Sequence, residues 1–283
     1  MTSGINGSPL GTPEIRFVGD WKTKLALSQT TNVEVILKFG RNPAVGTSEE
    51  DIWSVGGKET LLTAGAAMYV SCVENITGVG QRISVSGLDE NFDRKTGYSV
   101  LTGQTQARIL DEDGTEGLWT RIHRGFQSSA EPDPVGDVYI AELDGTISGG
   151  VPQAASKIHG FIDYTDAAQQ TQKGIYTVPR GFTGLIYSSQ AFMSGATSGS
   201  ARFCEVGIET QQLSDEATLE TLSWAPWRRR DEYAISTNNT SVEHTPAWPT
   251  VVPAYTNIAL RAKASASSDV MASMEIIIVK NGV

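Results

Sequence analysis

Two cysteines and three histidines in 283 residues leave little from which to build a metal centre or a nucleophile–base pair. Cys72 and Cys204 lie far apart in apolar, strand-like contexts, and both read as small buried hydrophobes rather than a disulfide. His123, His159 and His244 are widely separated, with no metal ligand at short spacing, so no zinc signature can be drawn and no metal or other cofactor is expected. His123, in an alternating stretch beside Arg121 and Arg124, reads as part of a solvated face. No Gly-x-Ser-x-Gly elbow, phosphate-binding loop or dinucleotide fingerprint is present. No apolar run reaches the roughly 18 residues needed to span a bilayer. The opening residues Met1 to Pro9 have neither a basic nor an apolar region, so a cytoplasmic site of synthesis without secretion is expected. Basic residues are the minority, 22 against 32 acidic, for a net charge of −10. That balance disfavours nucleic acid and anionic membranes as partners.

What is present is glycine, 29 residues of it, with 11 prolines and 39% apolar residues. The apolar residues fall in short, alternating stretches separated by turn residues, and no long stretch has a period of 3.6. This pattern predicts an all-β protein of sandwich type. Predicted strands are Val33–Phe39, Met68–Val73, Gln81–Ser86, Gly97–Leu101, Ala107–Leu110, Leu118–Phe126 and Asp137–Glu142. A second series runs through Gly174–Pro179, Thr183–Tyr187, Ala201–Ile208, Leu219–Trp224, Glu232–Ser236, Asn257–Lys263 and Met274–Lys280. The first strand would place Val33, Val35, Leu37 and Phe39 on one face and end at the Gly40–Pro43 turn. The apolar run Glu275–Lys280 reads as a central strand.

The region from Leu143 to Thr171 is rich in small and polar residues and marks the expected domain boundary. The predicted organisation is an extended N-terminal arm over residues 1–30, a first β-sandwich over 31–165, and a second, jelly-roll-like sandwich over 166–283. The first 13 residues of the arm have almost no apolar periodicity. Thr47 and Glu50 have capping-box spacing, so one helical turn is expected there, delivering Trp53 into a core and closed by Gly56–Gly57. Ser194–Ser200 reads as a flexible hairpin loop.

Chemistry-bearing stretches are few. Asp111–Glu116 gathers oxygen ligands in a turn where a hard cation could sit, but it departs from the EF-hand pattern and reads more simply as an acidic loop tip. No pair of the 32 acidic residues stands out for glycoside hydrolysis. The most unusual stretch is Trp224-Ala225-Pro226-Trp227-Arg228-Arg229-Arg230. Its residue types are those enriched at protein interfaces, and the arginines suit stacking on indoles or gripping carboxylates. The alternative is a corner packed on itself, with Asp231 and Glu232 neutralising the basic run. A third option is a sugar platform made from Trp224, Trp227 and Trp248.

Several motifs, Phe39-Gly40-Arg41-Asn42-Pro43, Glu49-Glu50-Asp51-Ile52-Trp53, Gly56-Gly57 and Val85 to Phe92, together resemble a family of structural proteins of tailed bacteriophages, many of them marine. Tyr176 to Thr183, Ile258 to Ala264 and Ile277 to Val279 resemble that family's later strands. The resemblance implies a non-enzymatic virion protein assembled in the host cytoplasm, with no catalytic residue to carry over. It implies other virion proteins as partners, either the major capsid protein or tail proteins, and a homo-oligomer. Capsid decoration is the leading expectation; a tail-apparatus or carbohydrate-binding receptor protein is the alternative. Trp224 to Arg230 has no counterpart among these motifs.

Overall fold

The computed structural model describes residues 30–75, 80–128, 136–165, 169–194, 202–213 and 224–282. The arm expected over 1–30, the hairpin loop at Ser194–Ser200 and the strand at Leu219–Trp224 fall almost wholly outside these residues. The chain is all-β, and its regular structure among the described residues is eighteen strands and one turn of 3-10 helix at Ala155–Lys157. No helix among the described residues is long and apolar enough to cross a membrane.

The first lobe pairs two four-stranded sheets. One has the order β10 (Ile158–Ile162), β9 (Val138–Glu142), β3 (Met68–Cys72), β6 (Ala107–Arg108). The other has the order β7 (Leu110–Asp111), β5 (Arg94–Val100), β4 (Arg82–Leu88), β8 (Arg121–Gln127). Alternation drives their packing: Val70, Ile140 and Ile162 from one sheet meet Ile83, Val85 and Ile122 from the other around the fully buried Trp119. Each such aliphatic side chain stabilises the fold by about 1.5–3 kcal/mol relative to exposure.

The second lobe has two five-stranded sheets. One runs β1 (Val33–Val45), β18 (Ser268–Lys280), β12 (Phe182–Met193), β15 (Ser241–His244), with β16 (Thr250–Val252) also on β12. The other runs β11 (Ile175–Thr177), β17 (Thr256–Ala264), β13 (Phe203–Gln212), β14 (Arg228–Ser236), with β2 (Glu50–Asp51) on β17. Ile186, Met274, Ile276 and Ile278 from the first sheet pack on Val206, Ile208, Ile258 and Leu260 from the second. The run Glu275–Lys280 is central, flanked by β1 and β12.

The sheets do not divide the chain at residues 31 and 165. β1 and β2, expected in the first sandwich, complete the second, because Val33–Asn42 pairs antiparallel with Val279–Val270. The face of β1 is also the reverse of the one expected. Its register puts Ile36 opposite Ile276 and Lys38 opposite Met274, so Ile36, Lys38, Gly40 and Asn42 point inward. Val35 and Leu37 face out, 40% and 62% exposed. The strand passes straight through the expected Gly-Arg-Asn-Pro turn. Gly40 serves close approach instead, since a Cβ there would lie 1.9 Å from the Ile52 carbonyl oxygen.

The expected helical turn at Thr47–Trp53 does not form; the stretch is irregular except for the two-residue strand β2 and a single bridge from Trp53 to Lys173. Glu50 caps no helix; its carboxylate accepts from the backbone of Gly46 (3.1 Å) and Gly57 (3.1 Å) and from Asn42 Nδ2 (3.0 Å). The backbone is held laterally, with Ile52 N donating to Leu260 O and Gly174 N donating to Ile52 O, both at 2.9 Å. Trp53 is delivered into the interior as expected, its indole N–H donating to Gly56 O at 2.9 Å. Gly56 and Gly57 take positive φ, 78° and 67°, a conformation that costs a side-chain-bearing residue about 1 kcal/mol or more.

Candidate interface at the Trp224–Arg230 corner

The corner begins where β13 ends. Trp224 bridges back to Leu213, and Ala225 N donates to Gln212 O at 2.9 Å. Trp224 is half-buried between the lobes, its ring 5.0 Å from the Arg121 guanidinium and 6.1 Å from the Phe92 ring. Arg121 is buried and donates through Nε to Asn257 Oδ1 (3.1 Å) and through Nη1 to the carbonyls of Leu62 (3.0 Å) and Thr120 (2.6 Å). Leu88 and Phe92 of the first lobe pack with Leu213 and Tyr255 of the second, so this corner helps join the two.

Trp227 covers a second buried arginine, with the Arg261 guanidinium 3.9 Å from its ring centroid. Arg261 donates through Nε to Asp51 Oδ1 (2.8 Å) and through Nη1 to Glu209 Oε2 (2.5 Å). Arg229 extends this network to Glu49, to Glu209 (3.2 Å) and to Glu232 (3.0 Å), and Lys58 reaches Glu49 at 2.7 Å. Burial pushes the Asp51 carboxyl up against the opposing pull of Arg261. Burial would likewise raise Glu49, but the Lys58 hydrogen bond and the charges of Arg261 and Arg229 hold it below its ordinary value. Arg230 donates to Thr210 Oγ1 at 2.8 Å, while Arg228 is exposed and has no ion pair among the described residues.

The five residues singled out in the sequence are therefore together at the start of one edge strand. Trp224 and Trp227 are half-buried over arginines of the interior, and Arg228, Arg229 and Arg230 are exposed, Arg229 held in ion pairs and Arg230 on Thr210. Of the three expected platform indoles, only Trp248 stands free, 84% exposed.

A second ionic cluster was not legible in the sequence. Lys173 Nζ donates to Glu59 Oε1 (2.5 Å) and to the carbonyls of Ile122 and His159, both at 2.9 Å. His159 Nδ1 lies 3.3 Å from Glu59, and its Nε2 lies 3.6 Å from Glu142. Burial opposes the charge on Glu59, yet the Lys173 charge and the His159 contact outweigh it and hold the carboxyl low. His159 is raised, burial being outweighed by Glu142 and Glu59. Glu59, His159 and Lys173 are almost wholly shielded from solvent, so the cluster pins three segments together and offers a substrate no approach.

His123 does not sit on a solvated face. Its Nε2 accepts from Thr177 N at 3.1 Å and its ring lies 4.4 Å from that of Tyr176. Burial and the neighbouring Lys38 and Lys173 charges keep it neutral, with Nδ1 carrying the proton. Cys72 and Cys204 are free and buried. No cluster of three or more histidine, cysteine or carboxylate side chains able to hold a metal occurs among the described residues.

No family model matches the chain, and no curated protein matches it. A solved structure titled "Structure of infectious bursal disease virus Gx strain" aligns over 88% of this chain and 72% of its own, at 11% identity and a TM-score of 0.25. A likeness of that degree leaves both fold and role to be argued from the chain's own geometry.

Proposed function

We propose that the chain is a non-enzymatic virion structural protein that acts through protein–protein contacts, with capsid decoration as its role. The observation that carries the reading is the outward face of the β1–β18–β12–β15 sheet. There Val35, Leu37, Phe192 and Met271, with Val251 on the β16 branch of β12, are each at least 40% exposed. Grouped exposed apolar side chains on one face are characteristic of surfaces that meet another protein. The two buried ionic clusters support the same reading, because their charges are taken up in internal pins, Arg261–Asp51 and Lys173–Glu59. The resemblance to tailed-phage structural proteins supplies the virion setting. Quantitative mass spectrometry of purified particles tests it: a head decoration protein is expected at on the order of hundreds of copies per virion. Absence from the particle overturns the reading, and roughly 3 to 20 copies moves the protein to the tail.

A second reading, a tail or receptor-binding protein that stacks on sugar, is favoured by Trp248 alone, in the loop between β15 and β16. Titration with glycans, followed by indole fluorescence, would then give a saturable change that Trp248→Ala removes.

A further inference from the structure

β1 forms the edge of its sheet, and along the open side of that edge lies a cleft of about 720 Å³ between the two lobes. Six consecutive β1 residues, Glu34 to Phe39, line it. Side chains alternate between faces of a strand, so a continuous run of lining residues means the cleft follows the strand's edge rather than lying over one face. Six residues of strand give it a length of about 20 Å. Residues 34–39 pair with β18 on one side and have no strand partner on the other among the described residues.

The cleft is basic in a chain whose net charge is −10. Among the described residues, Lys38, Arg94, Lys95 and Arg124 line it against a single carboxylate, Glu34. Glu34 is taken by Arg94 at 2.7 Å, and Lys95 is taken by Asp111 at 2.9 Å. Two cations are left over. Arg124 is exposed, stacks on Phe126, and meets no carboxylate among the described residues. Lys38 is 8% exposed and donates to the His123 carbonyl at 2.5 Å; it makes no ion pair among the described residues, the charge of Glu59 acting on it only from a distance. Gln170, on the same cleft, has a buried side-chain oxygen with no donor among the described residues.

We infer that this cleft binds an extended acidic segment of a partner protein, which adds to β1 as a further strand and places a carboxylate between Lys38 and Arg124. The added strand's amide groups pair with the open edge of β1, its apolar side chains meet Val35 and Leu37, and one N–H is available to Gln170. An inward-facing charge on an edge strand ordinarily discourages indiscriminate pairing. Here it makes the edge selective, since a neutral strand leaves the Lys38 ammonium without a counter-charge in direct contact and an acidic strand supplies one. An edge of alternating amide donors and acceptors suits a peptide better than a sugar–phosphate chain.

The inference rests on reading the chain as a contact-making protein, but its test needs only the isolated chain and so fails separately from the virion experiment. The probe is a fluorescein-labelled seven-residue peptide of alternating valine and glutamate, followed by anisotropy. Saturable binding is expected, weakened at least about tenfold by Arg124→Glu, whose surface position leaves folding intact by thermal melt. A probe carrying N-methyl groups at alternate amides should bind at least about tenfold more weakly to the unaltered protein. No saturable binding overturns the inference. Equal affinity for the N-methylated probe overturns strand addition, and tighter binding of labelled oligothymidylate than of the acidic peptide overturns the choice of partner.

Discussion

The Arg261 guanidinium lies 3.9 Å from the centroid of the Trp227 ring, while its nitrogens grip Asp51 at 2.8 Å and Glu209 at 2.5 Å. One side chain of β17 thus ties β2, far away in the sequence, to β13 and the approach to β14. Removing one member of a buried pair strands the charge of the others, so Arg261→Met should cost about 3–5 kcal/mol in urea unfolding. Trp227→Ala should cost about 1–3 kcal/mol alone and less in the Arg261→Met background, the difference in a double-mutant cycle being about 0.5–2 kcal/mol. Full additivity would show that the stacking contributes nothing.

Glu59 is the only carboxylate touching the buried Lys173 ammonium among the described residues, at 2.5 Å. Glu59→Gln leaves that charge unpaired and should cost about 3–5 kcal/mol at neutral pH. The pH dependence has two parts. Glu59 is held low, so its contribution is present above its unfolded pKa of about 4.3 and is lost as pH falls through the folded value. His159 is held high, so its contribution is complete below about 6.5 and is lost as pH rises through its folded value. His159→Gln should therefore remove the decline that His159 contributes above about pH 6.5 and shrink the acid limb to the part that Lys173 sustains.

Lys38 titrates in the opposite sense. Burial, reinforced by the Lys173 and Arg124 charges and opposed by Glu59, pushes its ammonium down to about 7. Between about pH 7 and the unfolded value of about 10.4 the unfolded chain binds more protons, so stability climbs with pH across that window. Lys38→Met should remove this share of the climb and make the protein more stable at pH 7. A lower melting temperature for Lys38→Met at pH 7 would mean that the ammonium is stabilising where it lies.

Two glycines should respond very differently to an added methyl group. Gly40→Ala drives a Cβ to 1.9 Å from a backbone oxygen and 2.5 Å from the Gly174 nitrogen, where only main chain can move. It should abolish soluble expression. Gly181→Ala meets no described atom within 4 Å and carries only the strain of φ +74°, so it should express normally and lose about 1 kcal/mol in urea unfolding.

Much of the sheet structure is readable in the chain because alternation or an apolar run is enough to mark β3, β4, β9, β17 and the end of β18. What escapes a reading of the chain has physical reasons. Glu232–Ser236 is expected as a strand and forms the second half of β14, but the first half, Arg228 to Asp231, and all of β15, Ser241 to His244, carry polar residues suited to sheet edges, where no buried face imposes a pattern. The face of β1 was inverted because Gly40 and Lys38 occupy inward positions that periodicity assigns to apolar side chains. The acidic run before Trp53 has a helix-start spacing, yet its donors are met across the sheet by residues distant in the sequence. The stretch at Trp224–Arg230 was conspicuous in the sequence, but the contacts it makes were not. Lys173 finds Glu59 114 positions away, and Arg261 finds Asp51 210 positions away. What the sequence does offer is a lone charge inside an apolar strand, Lys38 or Arg261, and such a residue points to a distant partner or to an unmet demand.

The pairing of Val33 with Val279 also orders events during synthesis. Strands β3 to β10 come from one continuous stretch, so the first lobe has all its parts once Ile162 has left the ribosome. The second lobe emits β1 and β2 first and then holds them until β17 and β18 appear, some 200 residues later. For most of translation an outward-facing Leu37 edge waits beside an already folded neighbour, and rapid completion of the last strands is what withdraws it from stray encounters.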